Sequence, residues 1–267
     1  MKKNRVPVRF TGQHFTINRK LIADAIRFAD VGRDDLVLDI GAGKGAITAP
    51  LSQKCRQVIA IERDRALVRV LDRRFPEKSN ITVAGCDFRS FRIPPKPFKV
   101  VSSIPYGITS EIFKSLMFDH AARFRGGTLI TQLELARKLL ADEVHNPYII
   151  LYRTLFELKL RYEVAPDHFM PPPGVMSALL DIRRRPSPLL EPGLEIRYLR
   201  FLRFLLDRPE LAVRTALKKL FRKKQVRNLT GKLGLDPDGK ITRLSAEQWA
   251  CCFRELLDKV PEKNQPG

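Results

Sequence analysis

The chain is poor in cysteine, with four residues in 267: Cys55, Cys86 and the adjacent pair Cys251 and Cys252. None shows the C-x-x-C spacing, and adjacent cysteines bridge only under strain, so neither a zinc site nor a disulfide framework is expected. Such low cysteine usage favours a reducing compartment, which makes a cytoplasmic location the expectation. The four histidines, His14, His120, His145 and His168, are scattered, and no H-E-x-x-H pattern occurs. No metal is expected. No apolar run approaches the roughly 18 to 20 residues that cross a bilayer. The opening Met1-Lys2-Lys3-Asn4-Arg5-Val6-Pro7 lacks the apolar stretch of a secretory signal. Neither membrane insertion nor secretion is expected, and no internal repeat or low-complexity segment is visible.

Negative charge is also scarce. Forty-nine Lys and Arg face 29 Asp and Glu, a net charge of +20. A surplus of that size makes a compact chain repel itself, and a polyanion relieves the repulsion. Nucleic acid is the expected partner, with an acidic lipid surface as the bland alternative. Hydrophobic residues at 44% and charged residues at 29% are the balance of a folded globular protein. At roughly 100 to 200 residues per domain, the length admits one large domain or two unequal ones. No exposed apolar stripe demands a partner, so a monomer is expected.

From about Leu21 to Ile182, short β-rich runs alternate with helical stretches. Leu36 to Ile40 is stopped by Gly41, and Val58 to Ile61 by Glu62. Ile81 to Val83 precedes Gly85-Cys86-Asp87, Val100-Val101 precedes Ser102-Ser103, and Thr128 to Thr131 follows the pair Gly126-Gly127. Runs that are apolar on both faces and separated by helices predict a parallel sheet covered on both sides, an α/β fold. Leu158 to Val164 and Ser177 to Ile182 come without clear intervening helices, which suits an antiparallel pair closing one edge. Arg183 to Pro188, followed by Pro192-Gly193, reads as a linker. A first domain over residues 1–183 and an all-helical second over 184–267 are therefore expected. In the second, Pro209 suits a helix start, and Ser245-Ala246-Glu247-Gln248 reads as a capping box before Trp249, Phe253, Leu256 and Leu257.

Charge is concentrated there. Residues 183–227 hold 14 Lys and Arg against 4 Asp and Glu, a surplus of +10 and half the total. Lys218, Lys219, Arg222, Lys223 and Lys224 interleave with Leu217, Leu220 and Phe221, predicting one face in the core and the other strongly positive. That face is expected to contact a polyanion rather than merely to be solvated.

The most informative segment runs from Leu36 to Thr48, where a strand ends in Gly41-Ala42-Gly43-Lys44-Gly45 and a helix opens. It lacks the G-x-G-x-x-G spacing of a dinucleotide turn and the G-x-x-x-x-G-K-[ST] of a P-loop. Glu62 lies 21 residues after Gly41 at the end of the second strand, where a carboxylate accepts the hydroxyls of a ribose. Asp87 ends the third strand, placed either to accept from an adenine amino group or to cap a turn. The three strand ends describe a nucleoside pocket without a phosphate clamp, which fits S-adenosylmethionine better than NAD.

The fourth strand ends in Ser103-Ile104-Pro105-Tyr106. The exocyclic nitrogen of adenine is a poor nucleophile because its lone pair is delocalised into the ring. Acceptors at its two hydrogens draw it toward a tetrahedral form, and the Ser103 side chain and Ile104 carbonyl suit that task. Pro105 stiffens the turn, and Tyr106 offers a face for the base to stack on, a contact worth roughly 1 to 3 kcal/mol. Phe169, in the proline-rich loop from Pro166 to Pro173, either closes the sandwich from the other side or is a core residue. An unpaired base costs least to extrude into such a pocket.

With these residues in hand, the chain resembles the erythromycin-resistance (Erm) family of 23S rRNA adenine-N6 methyltransferases almost end to end. The resemblance is carried by Phe10-Thr11-Gly12-Gln13-His14-Phe15-Thr16, Asp39-Ile40-Gly41-Ala42-Gly43-Lys44-Gly45, Gly85-Cys86-Asp87-Phe88, Ile104-Pro105-Tyr106-Gly107, Gln132-Leu133-Glu134 and the loop bearing Phe169. It implies a Rossmann-like S-adenosylmethionine-dependent methyltransferase sheet with a small helical C-terminal domain. It also implies that His14 and Thr16 join Gly41, Gly43, Glu62, Asp87 and Ser103 around the cofactor, although composition alone reads His14 as a surface residue. The family methylates one adenine in the peptidyl-transferase region of large-subunit rRNA, which blocks macrolide, lincosamide and streptogramin B drugs. The sister family of small-subunit rRNA dimethyltransferases shares every core motif but usually has leucine where this chain has Ile104. The Thr16-Ile17 and Gly85-Cys86-Asp87-Phe88 segments are more similar to the Erm side.

Both families usually carry asparagine where this chain has Ser103. Serine is shorter and can donate as well as accept, so it holds the amine less firmly. A loss on the order of 1 kcal/mol would slow transfer several-fold without abolishing it. A non-catalytic RNA-binding assembly factor on the same scaffold is the competing class, and DNA adenine methylation a third. The basic residues expected on RNA backbone are Lys218, Arg222, Lys223 and Lys224, with Arg137 and Lys138, and Arg5, Arg9 and Lys114 as an alternative footprint.

Overall fold

The computed structural model describes residues 14–75 and 80–266. The Phe10 to Gln13 part of the first motif, and Arg5 and Arg9, lie outside the described residues. The described residues form nine strands: β1 (Phe15–Thr16), β2 (Leu36–Ile40), β3 (Gln57–Ile61), β4 (Ile81–Ala84), β5 (Phe98–Ser103), β6 (Phe124–Gln132), β7 (Phe156–Val164), β8 (Phe169–Met170) and β9 (Ser177–Arg184). The helices are α1 (Arg19–Phe28), α2 (Thr48–Ser52), α3 (Arg65–Arg74), α4 (Thr109–Lys114), α5 (Leu133–Leu140) and α6 (Pro147–Leu155), then α7 (Glu195–Leu205), α8 (Val213–Leu217), α9 (Lys223–Lys232) and α10 (Ala246–Lys259).

Seven strands form one sheet in the order β4-β3-β2-β5-β6-β9-β7. β2 to β6 are parallel, and β9 runs antiparallel to both of its neighbours. The expected antiparallel pair therefore closes one edge, with the later strand inserted on the inside. Pleating sends Leu36, Leu38 and Ile40 into one apolar layer and Val37 into the other, which is why the run is apolar throughout. Helices after Arg184 extend the first layer: Tyr198, Phe201, Trp249 and Phe253 belong to the same contiguous buried cluster as Leu38 and Val100. The Ser245 capping box forms, its hydroxyl accepting from the Gln248 N–H at 3.2 Å while Gln248 Oε1 accepts from the Ser245 N–H at 2.9 Å.

Three local expectations change. Gly126 and Gly127 lie inside β6 rather than before it, beside the register shift between Phe98 and Val100. Pro209 sits in the turn between α7 and α8, and the helix starts at Val213. The basic segment is not one helix, because a turn at Lys218–Phe221 separates α8 from α9.

A feature with no counterpart in the sequence reading is the two-stranded ribbon β1-β8, which pairs Phe15 with Met170 and Thr16 with Phe169. Chain order reverses between β2 and β5, and the carboxyl ends of those strands face this ribbon across a crevice. In open α/β sheets such a reversal is where ligands bind.

Candidate active site

The crevice opens because the ladder between β2 and β5 stops early. Beyond the pair Leu38 and Val100, the Ser102 hydroxyl takes over, accepting from the Ile40 N–H at 3.0 Å and donating to the Ile40 carbonyl at 2.6 Å. The loop after β2 is tied instead to β3. The Gly41 and Ala42 N–H groups donate to the Ile61 carbonyl at 2.8 and 3.1 Å. Buried Glu62 accepts the Gly43 N–H at 2.9 Å with one oxygen and the Asp64 N–H at 2.9 Å with the other. Gly41 and Gly43 hold left-handed φ values of +77° and +59°. A Cβ on Gly41 would lie 2.9 Å from the Pro105 ring, and one on Gly43 2.9 Å from the Phe15 ring, so bare backbone is required at both.

Two adjoining cavities lie at these strand ends. The first, about 300 Å³, is walled by Gly41, Gly43, Glu62, Asp87, Ser103, Ile104, Pro105, Tyr106 and His14, with Phe15, Arg63, Cys86 and Phe88 among its other residues. The second, about 430 Å³, shares His14, Phe15, Gly41, Gly43 and Ser103 and adds Thr16, Ile17, Arg19, Asp39, Lys44 and Met170. Every expected cofactor residue thus lines one or both. Asp87 accepts the Arg89 N–H at 2.9 Å, as its turn-cap reading has it, and it also lines the first cavity. The Arg89 guanidinium, 2.8 Å from Asp87 Oδ2, lowers that carboxyl to about 2. His14 Nδ1 lies 2.8 Å from the Pro171 carbonyl, which ties it to the proline-rich loop and makes it a half-buried wall residue.

At the acceptor strand, the Ile104 N–H donates to the Ile130 carbonyl at 3.1 Å, fixing the turn. The Ser103 hydroxyl makes no hydrogen bond among the described residues. The Tyr106 hydroxyl lies 2.6 Å from Ser177 Oγ, and the ring is tilted 32° to His14 at 6.1 Å between centroids. Burial raises the Tyr106 phenol, which stays neutral at physiological pH.

A model of the family described as ribosomal RNA adenine dimethylase matches residues 6–258. The chain is 52% identical to an rRNA adenine N-6-methyltransferase of Bacteroides fragilis over 267 residues, all of both chains. It is 30% identical to a probable ribosomal RNA small subunit methyltransferase A of Methanopyrus kandleri, over 96% of this chain and 84% of that one. Among solved structures, it superposes on the 23S rRNA methyltransferase ErmE with a TM-score of 0.81 and 31% identity, covering 92% of this chain and 100% of that one.

The chain belongs to the ribosomal RNA adenine dimethylase family. It is an S-adenosylmethionine-dependent adenine N6-methyltransferase of rRNA, on a Rossmann-like sheet. The residues present fit that cofactor: glycine backbone, buried carboxylates, no phosphate clamp, and a Thr16 hydroxyl buried at the second cavity without a partner among the described residues.

For this dimethylase-family chain, one expected site residue is not brought to the cavities. Phe169 is 2% exposed, within the apolar layer under the sheet, so the core reading describes its position. Its strand neighbour Met170 faces the second cavity instead. Of the basic residues, Lys218, Arg222, Lys223 and Lys224 are exposed and carry no ion pair among the described residues. Arg137 is paired with Glu163 at 2.7 Å and Lys138 with Glu134 at 2.8 Å. Sequence reasoning gave no role to Ser177 or to Arg63, whose only signal was adjacency to Glu62, and named Phe15 only as a member of the first motif. Asp39 appeared only as a motif member. Its carboxyl accepts the Thr48 hydroxyl at 2.7 Å, and burial raises it to about 7.

Proposed function

We propose that the substrate is one adenine of bacterial 23S rRNA, naked or in a pre-ribosomal large subunit, and that its methylation confers macrolide, lincosamide and streptogramin B resistance. The observation that carries this reading is the end-to-end likeness to ErmE, a 23S rRNA methyltransferase, around a cavity where four strand ends meet. S-adenosylmethionine, when bound, supplies an electrophilic methyl group on a sulfonium. Glu62 and Asp87 hold the ribose and adenine of the donor, and His14, Thr16, Gly41 and Gly43 enclose it. Ser103 Oγ and the Ile104 carbonyl accept the two N6 hydrogens of the target, which turns the nitrogen lone pair toward the methyl carbon. Tyr106 stacks on the extruded base, and Pro105 keeps the two acceptors in register.

No strong base is required, because the methylated amine is acidic and releases its proton to solvent. Catalysis rests on positioning and on exclusion of water from an in-line displacement. The helices after Arg184 act as the RNA-contacting unit through Lys218, Arg222, Lys223 and Lys224, with Arg137 and Lys138 on the catalytic side. The enzyme works as a cytoplasmic monomer, a state that sedimentation would check. Among the described residues, no helix is long and apolar enough to cross a membrane.

Incubation with tritiated S-adenosylmethionine and naked 23S or 16S rRNA tests the reading. Label in 23S rRNA is expected, and expression in a susceptible bacterium should raise its erythromycin tolerance. Label in 16S rRNA alone assigns the chain to the small-subunit branch, and label in neither overturns the naked 23S rRNA substrate.

A further inference from the structure

The ribbon β1-β8 has two unlike faces. Thr16 and Phe169, paired with each other, are 6% and 2% exposed. On the opposite face, Ile17 is 52% and Met170 60% exposed, and both line the second cavity. The loop from Met170 to Ser177 adds Val175 and Met176, exposed at 47% and 38%. Four of the seven large hydrophobic side chains exposed among the described residues thus lie on this ribbon, next to it or on its loop, and two of them, Ile17 and Met170, line the second cavity. An apolar concentration of this kind marks an interaction site rather than scattered surface. Arg19 and Lys44 line the same cavity, are exposed, and enter no ion pair among the described residues.

An occupant that complements this rim is apolar where it meets Ile17 and Met170, and anionic where it meets Arg19 and Lys44. An unstacked nucleotide has both properties. We propose that this rim seats the unpaired nucleotide adjacent to the target adenine, its base against Met170 and Ile17 and its phosphates toward Arg19 and Lys44. Thioether and branched aliphatic side chains wedge between bases that have lost a stacking neighbour, and extrusion of the target adenine leaves its neighbour in that condition. The rim then holds the RNA strand open while Tyr106 receives the target. This inference rests on the 23S rRNA reading.

The test uses the full chain and a short 23S rRNA hairpin with 2-aminopurine beside the target adenine. Wild type is compared with Met170→Ser, Ile17→Ser and Met170→Leu. The serine variants should raise KM for the hairpin about five- to tenfold and diminish the fluorescence change on binding. Their affinity for S-adenosylmethionine by calorimetry should stay within about twofold, and Met170→Leu should behave as wild type. The side chains are exposed, so melting temperatures should be unchanged. An unaltered KM overturns the inference. A matching loss of donor affinity also overturns it, because the rim then belongs to the donor pocket. If the wild type transfers no methyl to the hairpin or to 23S rRNA, the target reading itself has failed, and the rim assignment with it.

Discussion

At Ser103 the acceptor strand ends in a hydroxyl that no described residue engages. Replacing it with the asparagine usual in the resembling families restores a longer acceptor, so Ser103→Asn should raise turnover several-fold in single-turnover transfer. A lower or unchanged rate would remove the argument that serine holds the amine loosely. Ser177 shows what single side chains hide from a sequence. It sits fully buried at the start of β9, and its 2.6 Å contact sets the plane of Tyr106. Ser177→Ala and Tyr106→Phe should each lower kcat about threefold to tenfold, and the double variant should lose no more than either single one. Additive losses would mean that the two hydroxyls act separately.

Asp39 gives a pH signature. Its folded carboxyl sits near 7 because burial disfavours the charge, with Glu62 adding to the effect and the Thr48 hydrogen bond opposing it. In the unfolded chain the same group ionises near 3.8, the unperturbed value. Between those values the folded state keeps a proton that the unfolded state has released, so this group's contribution to stability falls as pH rises and levels above about 7. Asp39→Asn should flatten that decline in melts between about pH 4 and 8. A slope equal to that of the wild type would show that another group carries it.

Among elements, the parallel strands were legible because each is buried on both faces and reads as an apolar run. The glycine pair of β6 was not, since a glycine normally marks the end of a strand. Here it is required inside one: a Cβ on Gly127 would lie 1.8 Å from the Val100 carbonyl oxygen, and one on Gly126 2.3 Å from that of Ile182. Both obstacles are backbone and cannot swing aside. Gly127→Ala should therefore cost at least about 3 kcal/mol, seen as a large drop in denaturation midpoint, whereas Gly174→Ala meets open space and should cost little. The strand-end acids and glycines, which line the two cavities, could be singled out because they lie next to recognisable strands. Phe169 was ambiguous for the opposite reason: in a two-residue strand, only the partner β1, over 150 positions away, decides which of Phe169 and Met170 faces inward. The turn at Lys218–Phe221 escaped notice because its residues have helix-compatible spacing.

For the molecule as a whole, net charge remains the dominant long-range property. Lys218, Arg222, Lys223 and Lys224 are free of ion pairs among the described residues, whereas Arg137 and Lys138 are already neutralised by carboxylates. Arg222→Ala, Lys223→Ala and Lys224→Ala combined should weaken rRNA binding and reduce the slope of log K against log salt by about 2 to 3. The pair Arg137→Ala and Lys138→Ala should change it less. The reverse ordering, measured by filter binding over a salt series, would move the footprint to the catalytic side.

The placement of β9 between β6 and β7 carries a consequence for synthesis on the ribosome. Until Ser177 to Arg184 has left the exit tunnel, β6 presents an unpaired edge and β7 has no neighbour to join. A nascent chain stalled before that point displays an open template for strand addition by other chains. Chains truncated near Gly174 should accordingly aggregate more readily than the full chain, as sedimentation of the two translation products would show.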